Sequence, residues 1–361
     1  MSNFKFFAAV LALAAIAVGI IACQKDFSSN PPPNKPQDKV TIFIQKVQNA
    51  KHEYLINELT DSNLSHYYFD GAQEVSGKIY DYRLELAKIN FRYTAYDSKV
   101  TIDSTFKTEE GLLVYATEFL SLTTNDPDPD NPDNFIVSEG FYGYKFILIE
   151  NDGNYTIKKE EALGDDLYFV NLNPIVGQGD FQIDQIEDRN PPSYTYNPTA
   201  ARDYAYTYWQ NYNTAYCDYT YGGGDCTNFL SQCLKSGGWT TNSAWWATGA
   251  GCCQNAAGCI IQNCYKCSWT VANTFYNYVT SSGRIQSGCY TDNALIVGDI
   301  LQLGTAGSVY HSTLVTKKTT NNGTKVYVTY RNASGGYPQK DKLSTTLPDI
   351  HYGWKVKASA N

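Results

Sequence analysis

Two hydrophobic periodicities divide this 361-residue chain into helical and strand segments. A helical pattern near residues 39–59 predicts a helix. Alternating apolar and polar positions at 78–86 and 142–149 predict strands, and Asn-Asp-Gly at 151–153 predicts a turn. The region from about residue 38 to 187 is therefore expected to be an antiparallel sheet with a helix on one face.

The segment 222–234 combines a glycine-rich approach, a helix start and a cysteine. One apolar helical stripe, at spacing i, i+3, i+4, i+7 and i+8, is formed by Cys226, Phe229, Leu230, Cys233 and Leu234. Cys226 falls in the first turn, where free backbone N–H groups and the helix dipole favour a thiolate. By itself, this segment fits a cysteine nucleophile and a buried structural cysteine equally well.

A histidine lies on a predicted hairpin further along the chain. Two β-rich runs, 309–315 and 324–330, flank the turn signal at 321–323. A two-residue turn places His311 opposite Ser334 or opposite Asn332, depending on where the turn falls. Both registers put His311 on one apolar face with Val309, Thr313, Val315, Val326, Val328, Tyr330 and Asn332.

That face gives His311 a chemical role if it packs against the Cys226 helix, because a Cys–His pair needs both side chains within hydrogen-bond reach. The alternative is a histidine satisfied within the core. A three-residue turn would instead direct Asn332 away from His311. We consider that turn less favourable, because it separates the valines of the two strands.

The first residues have the composition of an export signal. Lys5 is followed by an uncharged, mostly apolar run at 6–22 and then by Cys23. This resembles a bacterial lipoprotein signal (residues 1–22), in which Cys23 is lipidated and becomes the mature N-terminus. The alternatives are a membrane-spanning anchor and an ordinary cleaved signal. In each case the rest of the chain is exported to the cell envelope, and the proline-rich segment 23–37 is a tether.

A second domain, 188–361, is predicted after the prolines at 191–192. Asn197 and Pro198 fit the N-cap and first position of a helix. The formal charge of −8, with no basic stripe, excludes a nucleic-acid-binding surface. The acidic stretch 126–133 lacks the glycine and distal glutamate of a calcium loop, so a solvated loop is favoured over a metal site. His52 and His66 are expected to be surface or core-satisfied histidines.

Ten cysteines are present. Cys233 lies two helical turns from Cys226, about 10 Å away, which is too far for a disulfide. Cys264 and Cys267 have the C-x-x-C spacing of a zinc site. In an exported chain disulfides are favoured, with the pairing left open. Besides Cys23 and Cys226, the cysteines to be sorted are Cys217, Cys233, Cys252, Cys253, Cys259, Cys264, Cys267 and Cys289.

Several motifs occur in a family's order across residues 194–357. They are Tyr196-Asn197-Pro198, the segments 223–234 and 236–238, Ser268-Trp269-Thr270, Gly298-Asp299-Ile300 and His311-Ser312. The chain thus resembles the bacterial "putative amidase domain" family, which is similar to NlpC-type cell-wall endopeptidases and belongs with the papain-like cysteine hydrolases. The resemblance implies an α+β papain-like domain, a helix bearing the nucleophile on an antiparallel sheet, and a thiol hydrolase without metal or cofactor.

In that resemblance Cys226 is the nucleophile and His311 the base. A third group must hold the histidine ring, and Asn332 is our choice from the hairpin register, with Tyr330 and Ser334 as alternatives. Relatives often carry a histidine near this point, where this chain has Tyr330-Arg331-Asn332. The oxyanion would be held by the Cys226 backbone N–H. By similarity to NlpC-type enzymes, Tyr219 or Tyr221 would provide the second donor.

The sequence therefore predicts a lipid-anchored envelope protein that hydrolyses amide or peptide bonds. Peptidoglycan stem peptides are the expected substrate, and the membrane is contacted through the lipid on Cys23. The alternative is a binding lipoprotein on a papain-like scaffold that has no catalytic activity.

Overall fold

The structure is a computed structural model. It describes residues 36–57, 63–164, 167–168, 170–172, 174–177, 193–220, 224–249, 264–331 and 337–360. Residues Val40–Asn361 form one compact unit. Within the described part of the chain, no helix is long and apolar enough to cross a membrane. The predicted signal and tether lie outside the described residues, apart from residues 36 and 37.

The first half of the compact unit contains two helices followed by four antiparallel strands. The burial of strands β2 and β3 alternates along most of their length, which is the pattern of a sheet with one face on a core. The helices cover that face, so the predicted sheet with helical cover is confirmed. The bounds are α1 Pro36–Ile56, α2 Ala72–Lys88, β1 Tyr93–Thr108, β2 Gly111–Asp128, β3 Asn131–Asn151 and β4 Asn154–Leu163.

The prediction of a strand at 78–86 is wrong, because these residues belong to α2. The buried side chains are Ile79, Tyr82 and Leu86, spaced by three and four residues, which is helical spacing. Tyr80 and Leu84, which a strand would place beside Tyr82 and Leu86, are about half exposed. The same segment carries both periodicities, and only the burial distinguishes them.

The predicted turn at 151–153 is confirmed. Asn151 pairs with Asn154, so β3 and β4 are joined by the two-residue turn Asp152-Gly153. Both turn residues have positive φ, 51° and 78°, as the tight turns between twisted strands require.

Among the described residues, the second half of the unit contains four α-helices, two short 3₁₀ helices and seven strands. The predicted helix start at Asn197 is confirmed, since its side chain accepts a hydrogen bond from the Ala200 N–H at 3.1 Å. The helices are α3 Pro198–Tyr208, α4 Cys226–Ser236, the single turn α5 Cys267–Thr270 and α6 Ala272–Ser281. The strands are β5 Tyr194–Thr195, β6 Ile300–Thr305, β7 Ser308–Thr319, β8 Lys325–Tyr330, β9 Gln339–Leu343, β10 Ile350–Trp354 and β11 Ser359–Ala360.

One nine-stranded sheet runs through both halves, in the order β1-β2-β3-β9-β8-β7-β6-β10, with β4 also paired to β3. All its pairings are antiparallel, so the predicted α+β class with an antiparallel sheet is confirmed. Glu139 and Gly140 of β3 pair with β9 and join the two halves. The domain boundary near residue 188 stays a prediction.

The prediction of a solvated acidic loop at 126–133 is wrong for Asp126 and Asp128, whereas residues 129–133 are exposed. Asp126 is fully buried and accepts hydrogen bonds from the Lys325 Nζ at 2.9 Å and the Tyr327 hydroxyl at 2.5 Å. Asp128 accepts from the Lys317 Nζ at 2.5 Å. These partners lie in β7 and β8, nearly 200 residues away, so the local composition could not reveal them. The carboxylates neutralise lysines of the second half.

The prediction of a two-residue turn between β7 and β8 is wrong. Thr319 faces Lys325, which is the register of the turn we considered less favourable. A bulge at Thr316 then shifts the pairing by one residue, so that Val315 faces Val328. Beyond the bulge, Val315, Val328 and Tyr330 share one core, as the two-residue turns had predicted. The bulge thus restores the valine pairing that the turn alone would have lost.

Candidate active site

Helix α4 begins at Cys226, as predicted, and passes through the interior of the second half. Its residues from Cys226 to Leu234 are all buried. The predicted stripe is therefore part of a helix with no solvent-exposed face over its first nine residues. Polar side chains in that stretch must find partners inside the protein, because an unpaired buried polar group is costly. Those partners build the site.

Cys226 and His311 meet in this interior. The two residues are 4% and 5% exposed. Burial tends to raise the pKa of the Cys226 thiol, but the charge of the neighbouring His311 lowers that pKa below the ordinary value of 9.0. The Thr227 hydroxyl, 3.7 Å from the Cys226 Sγ, and the Ser312 backbone act in the same direction. The result is a thiol that ionises more readily than a free cysteine.

A bulge in β7 sets the direction of His311. His311 pairs with Leu303 while Val309 pairs with Gly304, so Tyr310 is the extra residue. The prediction that Val309 and His311 share a face is wrong for this reason, and Val309 packs in the helix-side core. The His311 ring packs against Tyr330 of β8, edge to face, with centroids 4.7 Å apart.

Ser312 joins helix α4 to the sheet. Its Oγ lies 2.9 Å from the Thr227 Oγ1 of α4 and accepts a hydrogen bond from the Gln302 Nε2 at 3.0 Å. Gln302 is held in turn by the Trp354 indole, whose Nε1 donates to the Gln302 Oε1 at 3.1 Å. This buried chain fixes the first turn of α4 against β7, the strand that carries His311.

Asn228 anchors the other side of the first turn. Its Nδ2 donates to the Cys217 carbonyl at 2.9 Å and to the Asp225 Oδ1 at 2.7 Å. Its Oδ1 accepts from the Trp269 Nε1 at 2.9 Å. Both the Asp-Cys-Thr-Asn and the Ser-Trp-Thr motifs of the sequence thus belong to one buried network around the helix start.

The remaining predicted site residues divide into two groups. Tyr219 is buried near the helix start, where its backbone N–H donates to the Asp225 Oδ1 at 3.2 Å and its ring packs on Tyr265. Its role at the oxyanion stays a prediction. Cys23, Tyr221 and Asn332 lie outside the described residues, as does the alternative Ser334.

Two charged residues at the site were missed by the sequence reasoning. Asp225, directly before Cys226, is fully buried and pairs with Arg331 at 2.9 Å. Each looks like a surface residue by type, and nothing local links two positions over 100 residues apart. The usable signals in the sequence were the position of Asp225 next to a cysteine predicted to be buried and the position of Arg331 at the end of a strand predicted to be buried.

The other described histidines stand apart from Cys226. His52 is fully buried and lies 2.7 Å from the Glu118 carboxylate, and His66 is exposed. Both fit the predicted surface or core-satisfied roles. His351 is buried with its Nδ1 at 3.0 Å from both Asp292 oxygens. Within the described part of the chain, no group of three or more His, Cys, Asp or Glu side chains has the geometry to hold a metal ion.

The free thiols among the described residues are Cys226, Cys233 and Cys289. Cys217, Cys264 and Cys267 are not free thiols. Cys233 is thus unpaired with Cys226, as the helical separation predicted. Cys252, Cys253 and Cys259 lie outside the described residues, and the disulfide pairing stays a prediction.

The geometry defines an α+β protein with a buried, readily ionised thiol at a helix start and an imidazole on the adjoining sheet. This is the arrangement of an activated cysteine nucleophile. Comparison with known proteins adds a family: residues 195–354, less than half of the chain, match the model described as "Putative amidase domain". The match supports the predicted amidase domain, while the papain-like relation and the lipoprotein signal stay predictions.

A curated relative and a solved structure also match. The chain is 27% identical over 173 residues to the "Uncharacterized protein YhbB" of Bacillus subtilis (strain 168), covering 45% of this chain and 50% of that protein. The chain thus spans about half the length of that relative. The crystal structure of the intermembrane space region of chloroplast protein ARC6 covers 36% of this chain and 98% of its own, at 20% identity and a TM-score of 0.28. That likeness is too low to support an argument.

Proposed function

We propose that this protein is a cysteine-dependent amide hydrolase in which Cys226 is the nucleophile and His311 the general base. The observation that carries the proposal is the burial of Cys226 beside His311, whose charge lowers the thiol pKa. The match to an amidase family model supports the same reaction class. No metal or cofactor is needed for this chemistry.

In the proposed reaction the Cys226 thiolate attacks the amide carbonyl carbon and His311 holds the thiol proton. The carbonyl oxygen becomes an oxyanion, which the Cys226 backbone N–H at the helix start stabilises, with Tyr219 or Tyr221 as second donor. Collapse expels the amine, which takes the proton from His311. Water, with His311 as base, then releases the acid from the thioester. Asn332 is our proposed orienting group for His311.

We further propose that the protein acts in the cell envelope as a lipoprotein anchored at Cys23, with peptidoglycan stem peptides as substrate. The support is the signal-like sequence before Cys23 and the resemblance to cell-wall endopeptidases. Taken together, the proposed cysteine mechanism and the proposed lipid anchor predict an exported enzyme that cleaves peptide bonds close to the membrane.

The test compares two cysteines of one helix. Cys226→Ala should abolish the release of new amines from purified peptidoglycan and from a peptide panel, measured by mass spectrometry. Cys233→Ala is the matched control, because Cys233 is also a buried free thiol of α4. It should retain activity. Turnover in Cys226→Ala would refute the cysteine mechanism, and inactivity of the wild type on every substrate would favour the binding-lipoprotein alternative.

A further inference from the structure

Arg331 connects three segments that meet at the helix start. Its Nη1 donates to the Asp225 Oδ2 at 2.9 Å, and its Nη2 donates to the carbonyl of Tyr208, the last residue of α3, and to that of Asn211. The guanidinium lies 3.8 Å from the centre of the Tyr212 ring. Arg331 is only 3% exposed, so it is a buried charge with defined partners and not a surface arginine.

Asp225 is equally enclosed. Its Oδ1 accepts hydrogen bonds from the Tyr219 N–H at 3.2 Å and the Asn228 Nδ2 at 2.7 Å, while Oδ2 is taken by Arg331. The carboxylate therefore ties the approach segment, the first helical turn and the end of β8 together. A carboxylate here would repel the neighbouring thiolate if it were not neutralised, because like charges disfavour each other in a buried site.

The sequence neighbours of this ion pair are the two halves of the site. Asp225 directly precedes Cys226, and Arg331 directly follows Tyr330, whose ring packs on His311 at 4.7 Å. We propose that Arg331 is a positioning residue that, through Asp225, fixes the Cys226 thiol at the His311 imidazole. This inference rests on the proposed function. A guanidinium suits the task, because its planar donors reach the carboxylate and the two carbonyls at once and so fix direction as well as charge.

The test uses the full chain in detergent micelles and two variants that avoid a lone buried charge. Arg331→Lys keeps the charge but loses the planar donors. Asp225→Asn with Arg331→Met removes both charges together, which buried ion pairs often tolerate. Iodoacetamide labelling of Cys226 is followed from pH 5 to pH 9 by peptide mass spectrometry, with Cys289 as the internal reference. Thermal melting reports the fold, and kcat and KM are measured on any substrate that is found.

We expect both variants to melt cooperatively but to label Cys226 at pH 6 about tenfold more slowly, and to lose kcat by about tenfold or more with little change in KM. If the ion pair were purely structural, the double variant would instead regain wild-type labelling and kcat together with the wild-type melting temperature. If both variants folded and kept the wild-type labelling profile and kcat, the inference would be overturned and the proposed function would stand. If wild-type Cys226 labelled no faster than Cys289 at any pH, the proposed function and the inference would both fail.

Discussion

The three free thiols of the described chain differ because their surroundings differ. Cys226 has a lowered pKa beside His311, whereas burial raises the pKa of Cys233, seven residues further along the same helix. Burial also raises the pKa of Cys289, to about 11. Burial opposes ionisation at all three positions, so a charged or hydrogen-bonding partner decides which thiol is reactive. At the residue scale, His311 is what lowers the pKa of the Cys226 thiol.

Replacing His311 should raise the pKa of the Cys226 thiol. In His311→Gln, burial persists without the imidazole, so the Cys226 pKa should rise above its wild-type value, and the thiolate population near neutral pH should fall. The ultraviolet absorbance of the thiolate, followed against pH, measures this directly, with Cys226→Ala as the blank. An unchanged titration midpoint would show that His311 does not stabilise the thiolate.

The orienting group can be tested by kinetics. Asn332→Ala should lower kcat by about one to three orders of magnitude with little change in KM, if its side chain holds the His311 ring in the transition state. Ser334→Ala serves as the comparison, because Ser334 faces His311 in the other predicted register. If only Ser334→Ala impaired kcat, the orienting role would move to Ser334. If Asn332→Ala left kcat unimpaired, Asn332 would be excluded as the group that orients His311.

At the element scale, the Gly298-Asp299-Ile300 motif joins the start of α3 to the strand β6. Gly298 has φ of 88°, and its carbonyl accepts a hydrogen bond from the Tyr196 hydroxyl at 2.7 Å. A Cβ at this position would lie 2.3 Å from the Pro198 Cβ. The glycine is required both by its backbone conformation and by the close approach of α3.

A matched pair of glycine substitutions separates these two requirements. Gly323 has φ of 90° and no atom within 4 Å of an added Cβ, so Gly323→Ala introduces the backbone strain alone. Gly298→Ala adds the clash with Pro198 and should lower the free energy of unfolding by about 1–3 kcal/mol more than Gly323→Ala. Urea denaturation of both variants measures the difference. Equal losses would mean that α3 moves away at little cost.

At the scale of the whole molecule, the acidic hairpin between β2 and β3 binds the second half of the chain. Asp126 pairs with Lys325 in the interior, and Asp130 accepts a hydrogen bond from Arg202 of α3 at 2.8 Å. Lys317, on the strand that carries His311, pairs with both Asp128 and Asp130. The first half of the chain therefore stabilises the strands that support the site.

Removing one carboxylate tests the strength of this connection. Asp126→Ala leaves the buried Lys325 without its charged partner, which should cost about 3–5 kcal/mol in the free energy of unfolding. Asp133→Ala, on the exposed part of the same hairpin, should stay within about 0.5 kcal/mol of the wild type. Chemical denaturation reports both. A small loss in Asp126→Ala would show that water reaches Lys325 and replaces the carboxylate.

The proposed lipid anchor at Cys23 can be tested at the scale of the whole protein. Under the proposed anchoring, Cys23→Ala should release the protein from membrane fractions, because the acyl chains would have no attachment site. Fractionation with immunoblotting measures the distribution, and Cys226→Ala controls for the loss of an unrelated cysteine. A Cys23→Ala protein that remained in the membrane would indicate a spanning anchor.

Local sequence determined the parts of this protein that depend on neighbouring residues. The Asn197 cap, the helix start at Cys226 and the Asp152-Gly153 turn were predictable because their hydrogen bonds and dihedral angles involve adjacent positions. Valine alternation likewise placed His311 on the face of Tyr330. In contrast, the alternation at 78–86 fitted two structures equally well, and only packing against the sheet selected the helix.

Tertiary structure decided which charges are buried together. Asp126 and Lys325 are 199 residues apart, and Asp225 and Arg331 are 106 apart. By composition each would be assigned to the surface. A buried ion pair requires both partners in one place, so neither sequence segment contains the information alone. The bulges at Tyr310 and Thr316 were hidden for the same reason, since they adjust one strand to the register of its neighbours.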